Sequence, residues 1–387
     1  MRFFHLPFIL FLLASCVIVG CATKPIDAPN NLGSVYEESK DAPQDSKQAL
    51  ALLTKAANQN QVDAQFELAG MYHDGKGVTQ DYKQAVEWLT KAANLNHAEA
   101  QFNLAIMYKK GEGVSQDYKR VVEWYTKAAN QNLIQAQLNL AIMYSNGEGV
   151  PQDYKQTLAW LTKAATQNHS GAQYQLACMY SIGIGVPQDN KQAAEWYRKA
   201  ANQDLAGAQY ELACMYIDGK GVPQDYKQAI AMLTKAANQN HADAQYELAG
   251  IYDEGKGVTQ DYKQAVGWLT KAANQNHAKA QLNLGYMYDT GKGVPQDFKQ
   301  ALAWYAKASN QNLPEAQFNL GAIYFNGKGV PQDYKQAYVW ASISARNEFE
   351  FAVKLRTSAE EKLSPQELEL AKEQVKKLLN TIESSKN

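Results

Sequence analysis

The sequence predicts an all-α protein, a solenoid of 36-residue helix-turn-helix repeats that ends in C-terminal capping helices. A G-x-G-V turn recurs in steps of 36 residues, and its first glycines are Gly75, Gly111, Gly147, Gly183, Gly219, Gly255, Gly291 and Gly327. The Q-D pair after each turn keeps this step, and so does a tryptophan on the following segment, which only Met232 replaces. A fixed period of this length indicates stacked units that share one core.

Residues 1–20 have the composition of a secretory signal peptide. Met1-Arg2 is a short basic start, and the stretch from Phe3 to Val19 is almost wholly apolar and contains no acidic residue. So short a run is typical of a cleavable signal rather than of a membrane-spanning helix. Residues 21–44 carry prolines and asparagines without an apolar period, so we expect a flexible tether there.

The end of this signal, Ile18-Val19-Gly20-Cys21, resembles the lipobox of bacterial lipoproteins. The resemblance implies that Cys21 is acylated, and that the alanine after it directs the protein to the outer membrane, facing the periplasm. Cys16 also fits the pattern, but the chain turns polar directly after Cys21 and stays apolar after Cys16. An ordinary secretory signal with incidental cysteines is the alternative.

Residues 45–346 read as a half-unit followed by about eight repeats, each with a first and a second helix. In the first helix of the copy that starts at Ala64, the residues Leu68, Met71 and Tyr72 continue one apolar stripe. Gly75 ends this helix, because glycine adopts the left-handed C-cap conformation without steric cost.

The second helix begins after Asp81, which is a good N-cap, and Gln84 is placed to complete a capping box. Its expected buried stripe consists of Ala85, Trp88, Leu89, Ala92 and Ala93. Asn96 and Glu99 are expected to cap the first helix of the next repeat. Such a hairpin cannot bury its own apolar face, so it must stack on its neighbours.

Residues 347–387 depart from the repeat and are expected to cover its last hairpin. A charged amphipathic helix is predicted over about Phe349–Leu363. The sequence Ser364-Pro365-Gln366-Glu367 then indicates the start of a second helix that runs to about Asn380, with an N-cap, a proline in the first turn and an acid three residues after the cap.

The motif A-Q-x-x-L-a-x-M-Y-x-x-G-x-G-V-x-Q-D-Y-x-x-A-x-x-W-x-x-K-A-A resembles the Sel-1-like repeat, a relative of the tetratricopeptide repeat with a longer turn. The resemblance covers about residues 45–345. It implies a right-handed α/α superhelix that scaffolds protein–protein contacts, in envelope assembly or host interaction. Some cysteine-rich relatives are linked to β-lactam binding or hydrolysis, but this chain lacks their paired cysteines.

Residues with catalytic or metal-binding chemistry form no recognisable motif in the sequence, so we expect neither an enzyme nor a cofactor. His97, His169, His241 and His277 share one repeat position with leucines in other copies, which favours packing or a helix-start contact over a metal site. Cys178 and Cys214 recur one repeat apart and are expected to remain thiols. The balance of 38 basic and 39 acidic residues gives no footprint for nucleic acid.

Positions that vary between copies mark a candidate partner-binding face on the first helices. Asp63, Glu67, Gly70 and Asp74 lie on one side of a helix, and their counterparts change from copy to copy. The candidate contact residues are Glu67, Gly70, Asp74, Asn103, Asn139, Gln175, Glu211, Glu247, Asn283, Tyr286 and Asn319. In tetratricopeptide-like solenoids the first helices line the concave surface, where side chains of this kind would bond a partner's backbone. The alternative is that these positions simply drift.

The sequence therefore predicts a lipid-anchored envelope scaffold that binds an unidentified protein or peptide. The alternative is an envelope hydrolase or β-lactam-binding protein related to the cysteine-rich Sel-1-like repeat proteins.

Overall fold

A computed structural model of the protein describes residues 43–346 and 349–384, with side chains described for residues 49–346 and 349–380. The predicted signal peptide, both candidate lipidation cysteines and most of the predicted tether lie outside the described residues. The described residues form nineteen α-helices and no β-strand, which confirms the predicted all-α class. None of these helices combines the length and the apolar character that crossing a membrane requires.

The chain divides into two compact units, one up to Gln203 and one from Asp204. In the first unit, a single helix is followed by four hairpins, and each helix packs against the next one in the chain. Its helices are α1 Pro43–Asn58, α2 Val62–Asp74, α3 Tyr82–Asn94, α4 Ala98–Lys110, α5 Tyr118–Asn130, α6 Ile134–Asn146, α7 Tyr154–Thr166, α8 Ser170–Ile182 and α9 Asn190–Ala201.

The second unit contains four hairpins and two further helices, again packed in chain order along the hairpins. Its helices are α10 Ala206–Asp218, α11 Tyr226–Asn238, α12 Ala242–Glu254, α13 Tyr262–Asn274, α14 Ala278–Thr290, α15 Phe298–Asn310, α16 Pro314–Asn326, α17 Tyr334–Arg346, α18 Glu350–Glu360 and α19 Pro365–Ser384. Within each unit, tandem hairpins of one length build the predicted solenoid architecture.

Two glycines shape the turn inside each hairpin. Gly75 closes α2 in the left-handed conformation, with φ of 71°, and its N–H donates to the carbonyl oxygen of Met71. Glycine is required at the second position of the turn for a different reason, which Gly113 illustrates. A Cβ there would overlap the backbone carbonyl of Tyr82 in the preceding hairpin. The first glycine therefore ends a helix, while the second also lets two hairpins approach closely.

The N-cap of the second helix is the predicted one, although the capping box is only half formed. One carboxylate oxygen of Asp81 accepts from the N–H groups of Lys83 and Gln84, at 2.9 and 3.1 Å. The N–H of Asp81 does not need the Gln84 side chain, because it donates to the carbonyl oxygen of Tyr72 at 2.8 Å. The aspartate thereby ties the start of the second helix to the first helix of its own hairpin.

The prediction that Asn96 caps the next first helix is wrong. Asn96 lies in the left-handed region, with φ of 68°, and turns the chain between hairpins. The N-cap is His97, whose Nδ1 accepts from the N–H of Ala100 at 3.1 Å. The histidines at the other three copies do the same, whereas Leu133, Leu205 and Leu313 provide no side-chain cap. The predicted helix-start contact of the histidines is thus confirmed.

The core consists of small residues alternating with large ones, as the sequence predicts. In α3, Ala85 and Ala92 are fully buried, and Trp88 and Leu89 are nearly so. Fully buried alanines let the helices approach closely, and the large side chains fill the remaining space. The Nζ of Lys91 lies 3.6 Å from the ring centroid of Trp88, and most other copies repeat this cation–π contact.

A buried glutamine joins neighbouring hairpins. The Nε2 of Gln101 donates to the carbonyl oxygen of Ala93, at the end of the preceding second helix, at 3.0 Å. The Oε1 of Gln101 accepts from the Nε2 of Gln131, at the end of its own hairpin, at 2.8 Å. The same glutamine pair recurs in later copies. Because a buried amide is costly without partners, this joint explains why the glutamine recurs.

Helices α18 and α19 cover the last hairpin, as predicted. Ala359 of α18, Ala371 of α19 and Leu363 in the link between them join a cluster with Val339 and Ile343 of α17. The predicted start of α19 is also confirmed, since Ser364 and Glu367 form a reciprocal capping box. The N–H and the hydroxyl of Ser364 donate to the Glu367 carboxylate, and the N–H of Glu367 donates to the hydroxyl. α18 is shorter than predicted, and α19 runs to Ser384.

Candidate partner-binding face

The candidate face is formed by the first helices of each unit, which we call the first-helix face. Its polar line consists of Glu67, Asn103, Asn139 and Gln175 in the first unit, and of Glu211, Glu247, Asn283 and Asn319 in the second. All eight side chains are half-buried rather than fully exposed. This line is therefore recessed, and a partner that reaches it must insert side chains or a narrow segment.

The size-variable positions beside this line differ in exposure. Gly70 is buried, whereas Tyr286 is 43% exposed and Ile142 is 37% exposed. Among the described residues, Ile142 and Tyr286 belong to the small set of large apolar side chains that face solvent. Each unit thus presents one exposed apolar side chain beside its recessed polar line.

Asp74 and Asn139 of the predicted face already have partners inside the chain. The carboxylate of Asp74 lies 2.8 Å from Nδ1 of His73 and 3.3 Å from Nζ of Lys76. Burial works to raise the pKa of Asp74, but the hydrogen bonds from His73 and Lys76 outweigh it and lower this pKa. Asn139 donates to the carbonyl oxygen of Gln135 at 2.8 Å. These two side chains are less available than the sequence pattern indicates.

The electrostatics of the polar line are most perturbed in the second unit. Burial, with a contribution from Asp243, raises the pKa of Glu211 to about 7. Burial also raises the pKa of Glu247, against the attraction of Lys279. In the first unit, burial and then Asp63 raise the pKa of Glu67. These carboxylates are recessed where water stabilises their charge poorly.

Capping histidines stack on aromatic residues of the preceding first helix and form one wall of the face. The ring of His97 lies 4.6 Å from that of Phe66, His241 lies 4.9 Å from Tyr210, and His277 lies 4.8 Å from Tyr246. Sequence reasoning missed this wall. The signal that could have found it is the constant spacing between the aromatic residue and the histidine, because stacking and capping together fix the histidine.

Neighbouring first helices also meet through the polar line itself. The amide of Asn283 donates to the hydroxyl of Tyr246 at 3.5 Å, which is a long contact. Burial, followed by the charge of Glu247, raises the pKa of Tyr246 to about 12. The face is therefore a mixed surface of amides, carboxylates and phenol groups.

Cys178 and Cys214 are both thiols, as predicted, and half-buried. The hydroxyl of Tyr197 donates to Sγ of Cys178 at 3.2 Å. Burial raises the pKa of Cys214, and the carboxylates of Glu211 and Glu247 add to it. A thiol whose pKa is raised is a poor nucleophile at neutral pH. Within residues 49–346 and 349–380, no three metal-binding side chains converge into a metal site.

The repeat unit matches a known family over most of the chain. The Sel1 repeat profile matches nine consecutive segments, which are residues 26–61, 62–97, 98–133, 134–169, 170–205, 206–241, 242–277, 278–313 and 314–349. The chain belongs to the Sel1 repeat family. From residue 62 on, each Sel1 repeat in this frame starts just after the N-cap of a first helix and ends at the next capping position. The first match begins at residue 26, within the predicted tether.

Two solved structures of Sel1 repeat proteins are similar to this chain in sequence, and the first also in fold. A Sel1 repeat protein from Oxalobacter formigenes is 32% identical, covering 83% of this chain and 94% of its own, with a TM-score of 0.68. The protein c5321, a protective antigen present in uropathogenic Escherichia coli strains, is also 32% identical over 90% of each chain, with a TM-score of 0.49. No curated protein matches the chain.

The family sets the coarse function of the chain. Sel1 repeat proteins are generally scaffolds for protein–protein interaction rather than enzymes. In this Sel1 repeat protein, the conserved geometry of turn, cap and core belongs to the scaffold. The recessed polar line on the first helices is where its copies differ in chemistry.

Proposed function

We propose that this Sel1 repeat protein is a lipid-anchored scaffold of the cell envelope, which binds a protein partner through its first-helix face. The observation that carries the proposal is the contrast within each repeat. Turn glycines, capping aspartates and buried alanines recur, while the recessed polar line changes among Glu, Asn and Gln. Positions that hydrogen-bond but do not hold the scaffold together suit recognition of another chain.

Amide side chains give the face its chemistry for an extended partner. Asn103, Asn283 and Asn319 are half-buried, and each carries both donors and an acceptor. An extended backbone offers N–H and C=O groups in alternation, so the same amide can bond either group. Binding of this kind tolerates variation in the partner's side chains and serves envelope assembly or host interaction.

The face is tested by replacing four of its amides together. We expect the variant N103A/N139A/N283A/N319A to lose the proteins that the wild type recovers after in-cell crosslinking and mass spectrometry. The matched control is N94A/N130A/N238A/N274A, because these four asparagines are exposed at the ends of second helices. Unchanged recovery by the first variant, with an unchanged circular dichroism spectrum, would contradict the proposed face.

Membrane attachment is tested separately, because the lipobox resemblance supports it independently of the repeats. Cys21→Ala is expected to abolish incorporation of labelled palmitate and to release the protein from the outer-membrane fraction. Cys16→Ala is the matched control and is expected to leave both unchanged. The reverse result would move the lipid to Cys16, and absence of labelling in the wild type would remove lipidation from the proposal.

A hydrolase function is tested with the purified protein. Turnover of nitrocefin by the purified repeat protein, above a heat-denatured control, would favour a β-lactam-hydrolysing envelope protein over a scaffold.

A further inference from the structure

Helix α1 leaves open a face that every other second helix in the described chain buries. Its residues Ala49, Leu53 and Ala56, which we call the open face of α1, are only half-buried. The residues at the same three positions are buried in all eight later second helices, from α3 to α17. Leu52 beside the open face is 70% exposed. An apolar face that is covered eight times and left open once lacks a partner that the repeat normally provides.

In the later hairpins, this face packs against the first helix of the same hairpin. Thr157, at the position of Ala49, donates its hydroxyl to the carbonyl oxygen of Ala141 at 3.3 Å. Similarly, the ring of Tyr125 on α5 lies 5.4 Å from the ring of Phe102 on α4. Within the described ranges, the only helix packed extensively on α1 is α2, the first helix of the next hairpin. The missing partner is therefore the first helix of α1's own hairpin.

The sequence directly before α1 contains the fixed positions of a first helix. Across the eight described hairpins, the first of these positions is always Ala, the second always Leu, the third Ala or Gly, and the fourth always Tyr. Counting back 36 residues from the first of those hairpins reaches Ala28, Leu32, Gly33 and Tyr36, which satisfy all four. The Sel1 profile also matches residues 26–61 as a repeat. The segment that would complete the hairpin thus precedes α1 in the chain, outside the described residues.

Two departures from the repeat fall where a first hairpin would contact one in front of it. Pro29 stands at the position of Gln65, whose Nε2 donates to the carbonyl oxygen of Ala57 in the preceding helix. Asp41 stands at the position of the second turn glycine, where a side chain at Gly113 would overlap the preceding hairpin. The first of the nine profile matches begins at residue 26, so the hairpin of residues 26–61 has no matched repeat before it. Neither joint is needed there.

We propose that residues 26–38 form a first helix that docks on the open face of α1 and closes the N-terminal end of the stack. The segment is the occupant because it keeps the side chains that face a second helix and is joined directly to α1. Having lost the glutamine and the second turn glycine, it does not accept a further hairpin on its outer side. Solenoids require such atypical units at their ends, and α18 and α19 cover the last hairpin in the same sense.

One consequence concerns the predicted tether and rests on the proposed lipid anchor at Cys21. Docking of residues 26–38 shortens the free linker from residues 22–44 to residues 22–25. An extended chain advances roughly 3.3–3.6 Å per residue, so the reach of the linker falls from about 80 Å to about 15 Å. The first hairpin would then be held next to the membrane surface.

The docking is tested by a disulfide in the detergent-solubilised full chain. In G33C/A49C, the two thiols take the positions of Ala141 and Thr157, which lie in contact in the later hairpin. Mild oxidation is expected to join them within one chain, as identified by mass spectrometry of the tryptic peptides. The matched control is N31C/A49C, because Asn31 takes the position of Glu67 on the first-helix face and should not reach α1.

Two results of this experiment would overturn the inference. Equal oxidation of both cysteine pairs would show a segment that moves freely past α1. A disulfide between two chains, seen as a dimer on a non-reducing gel, would assign the open face to a second copy.

Hydrogen exchange provides a second measurement, without added cysteines. The amides of residues 30–38 are expected to exchange at least about 10-fold more slowly than those of a free peptide of the same sequence. L32D/Y36D is expected to remove this protection and to speed exchange in α1, while N31D is expected to keep it. Exchange of residues 30–38 at the free-peptide rate would overturn the inference. Both measurements are independent of lipidation and of the partner, so a negative result would leave the proposed function standing.

Discussion

The repeat at residues 62–97 and the next one, at residues 98–133, use the same buried glutamine but satisfy it differently. In the second of these, Gln101 donates to Ala93 and accepts from Gln131. In the first, Gln65 donates to the carbonyl oxygen of Ala57 at 3.0 Å, but Leu95 stands where the second glutamine would be. The Oε1 of Gln65 is consequently buried with no hydrogen-bond partner among the described residues.

The comparison shows which hydrogen bonds of the buried glutamine are present in both repeats and which one is missing from the first. The donor side of the glutamine is kept in both repeats, because it joins one hairpin to the end of the preceding one. The acceptor side is lost in residues 62–97, and Leu95 is left 47% exposed. The hydrogen-bonding groups of the recurring glutamine can therefore be fully or only partly paired. The contribution of this residue to the free energy of unfolding differs accordingly.

The largest expected effect comes from disrupting a close backbone contact between these two repeats. In Gly113→Ala, the new Cβ would overlap the backbone carbonyl of Tyr82, at a φ of 72° that disfavours alanine. We expect a loss of roughly 3 kcal/mol or more in the free energy of unfolding, from overpacking combined with left-handed strain. Urea denaturation followed by circular dichroism measures it.

Gly111→Ala is the matched control for that substitution. Its φ is 76°, but the nearest atoms to the added Cβ lie at 3.6 Å, which is ordinary contact. Only the backbone strain of about 1–2 kcal/mol should remain. Equal losses in the two variants would show that the second glycine has no role between hairpins.

A smaller effect of opposite sign is expected from completing the glutamine pair in the first of the two repeats. Leu95→Gln should place an amide donor at the orphaned Oε1 of Gln65 and stabilise the protein by about 1 kcal/mol. The gain is measured as a shift in the denaturation midpoint with an unchanged slope.

A double-mutant cycle identifies the origin of this gain. In the Gln65→Leu background, Leu95→Gln has no oxygen to bond, so its stabilisation should vanish. The same gain in both backgrounds would mean that Leu95 destabilises the protein only because it is exposed. The unpaired Oε1 of Gln65 would then make no contribution to the difference in stability.

The division between what the sequence predicts and what it misses follows the range of each interaction. Gly75, Asp81 and Ser364 act on backbone a few residues away, so their roles can be read from local spacing. The glutamine pair joins residues 30 apart, and stacking of His97 on Phe66 joins adjacent hairpins. Such contacts depend on how helices pack within and between hairpins, which the sequence period does not specify.

The candidate site shows the same limit. The repeat period places Glu211 and Glu247 at equivalent positions of adjacent first helices. It does not predict that the line is recessed, because burial depends on how neighbouring helices pack. The raised pKa of Glu211 is a product of that packing.

The smallest expected effect concerns the histidine that caps a first helix. Nδ1 of His169 accepts from the N–H of Ala172 at 3.1 Å, so the cap requires an unprotonated Nδ1. Burial lowers the pKa of His169 below its ordinary value. The unfolded chain therefore binds the proton more tightly, and the cap's contribution, complete above the unfolded pKa of about 6.5, is lost as the pH falls through the folded pKa.

His169→Asn keeps a capping acceptor that does not titrate, so it should reduce the loss of stability between pH 7.5 and pH 5 by under about 1 kcal/mol. The reciprocal variant is Leu133→His, which places a histidine at an N-cap that has no side-chain bond. It should add a pH dependence of the same sign to the same unit. Denaturation midpoints measured across this pH range decide the matter, because parallel profiles for wild type and both variants would mean that the histidines only pack.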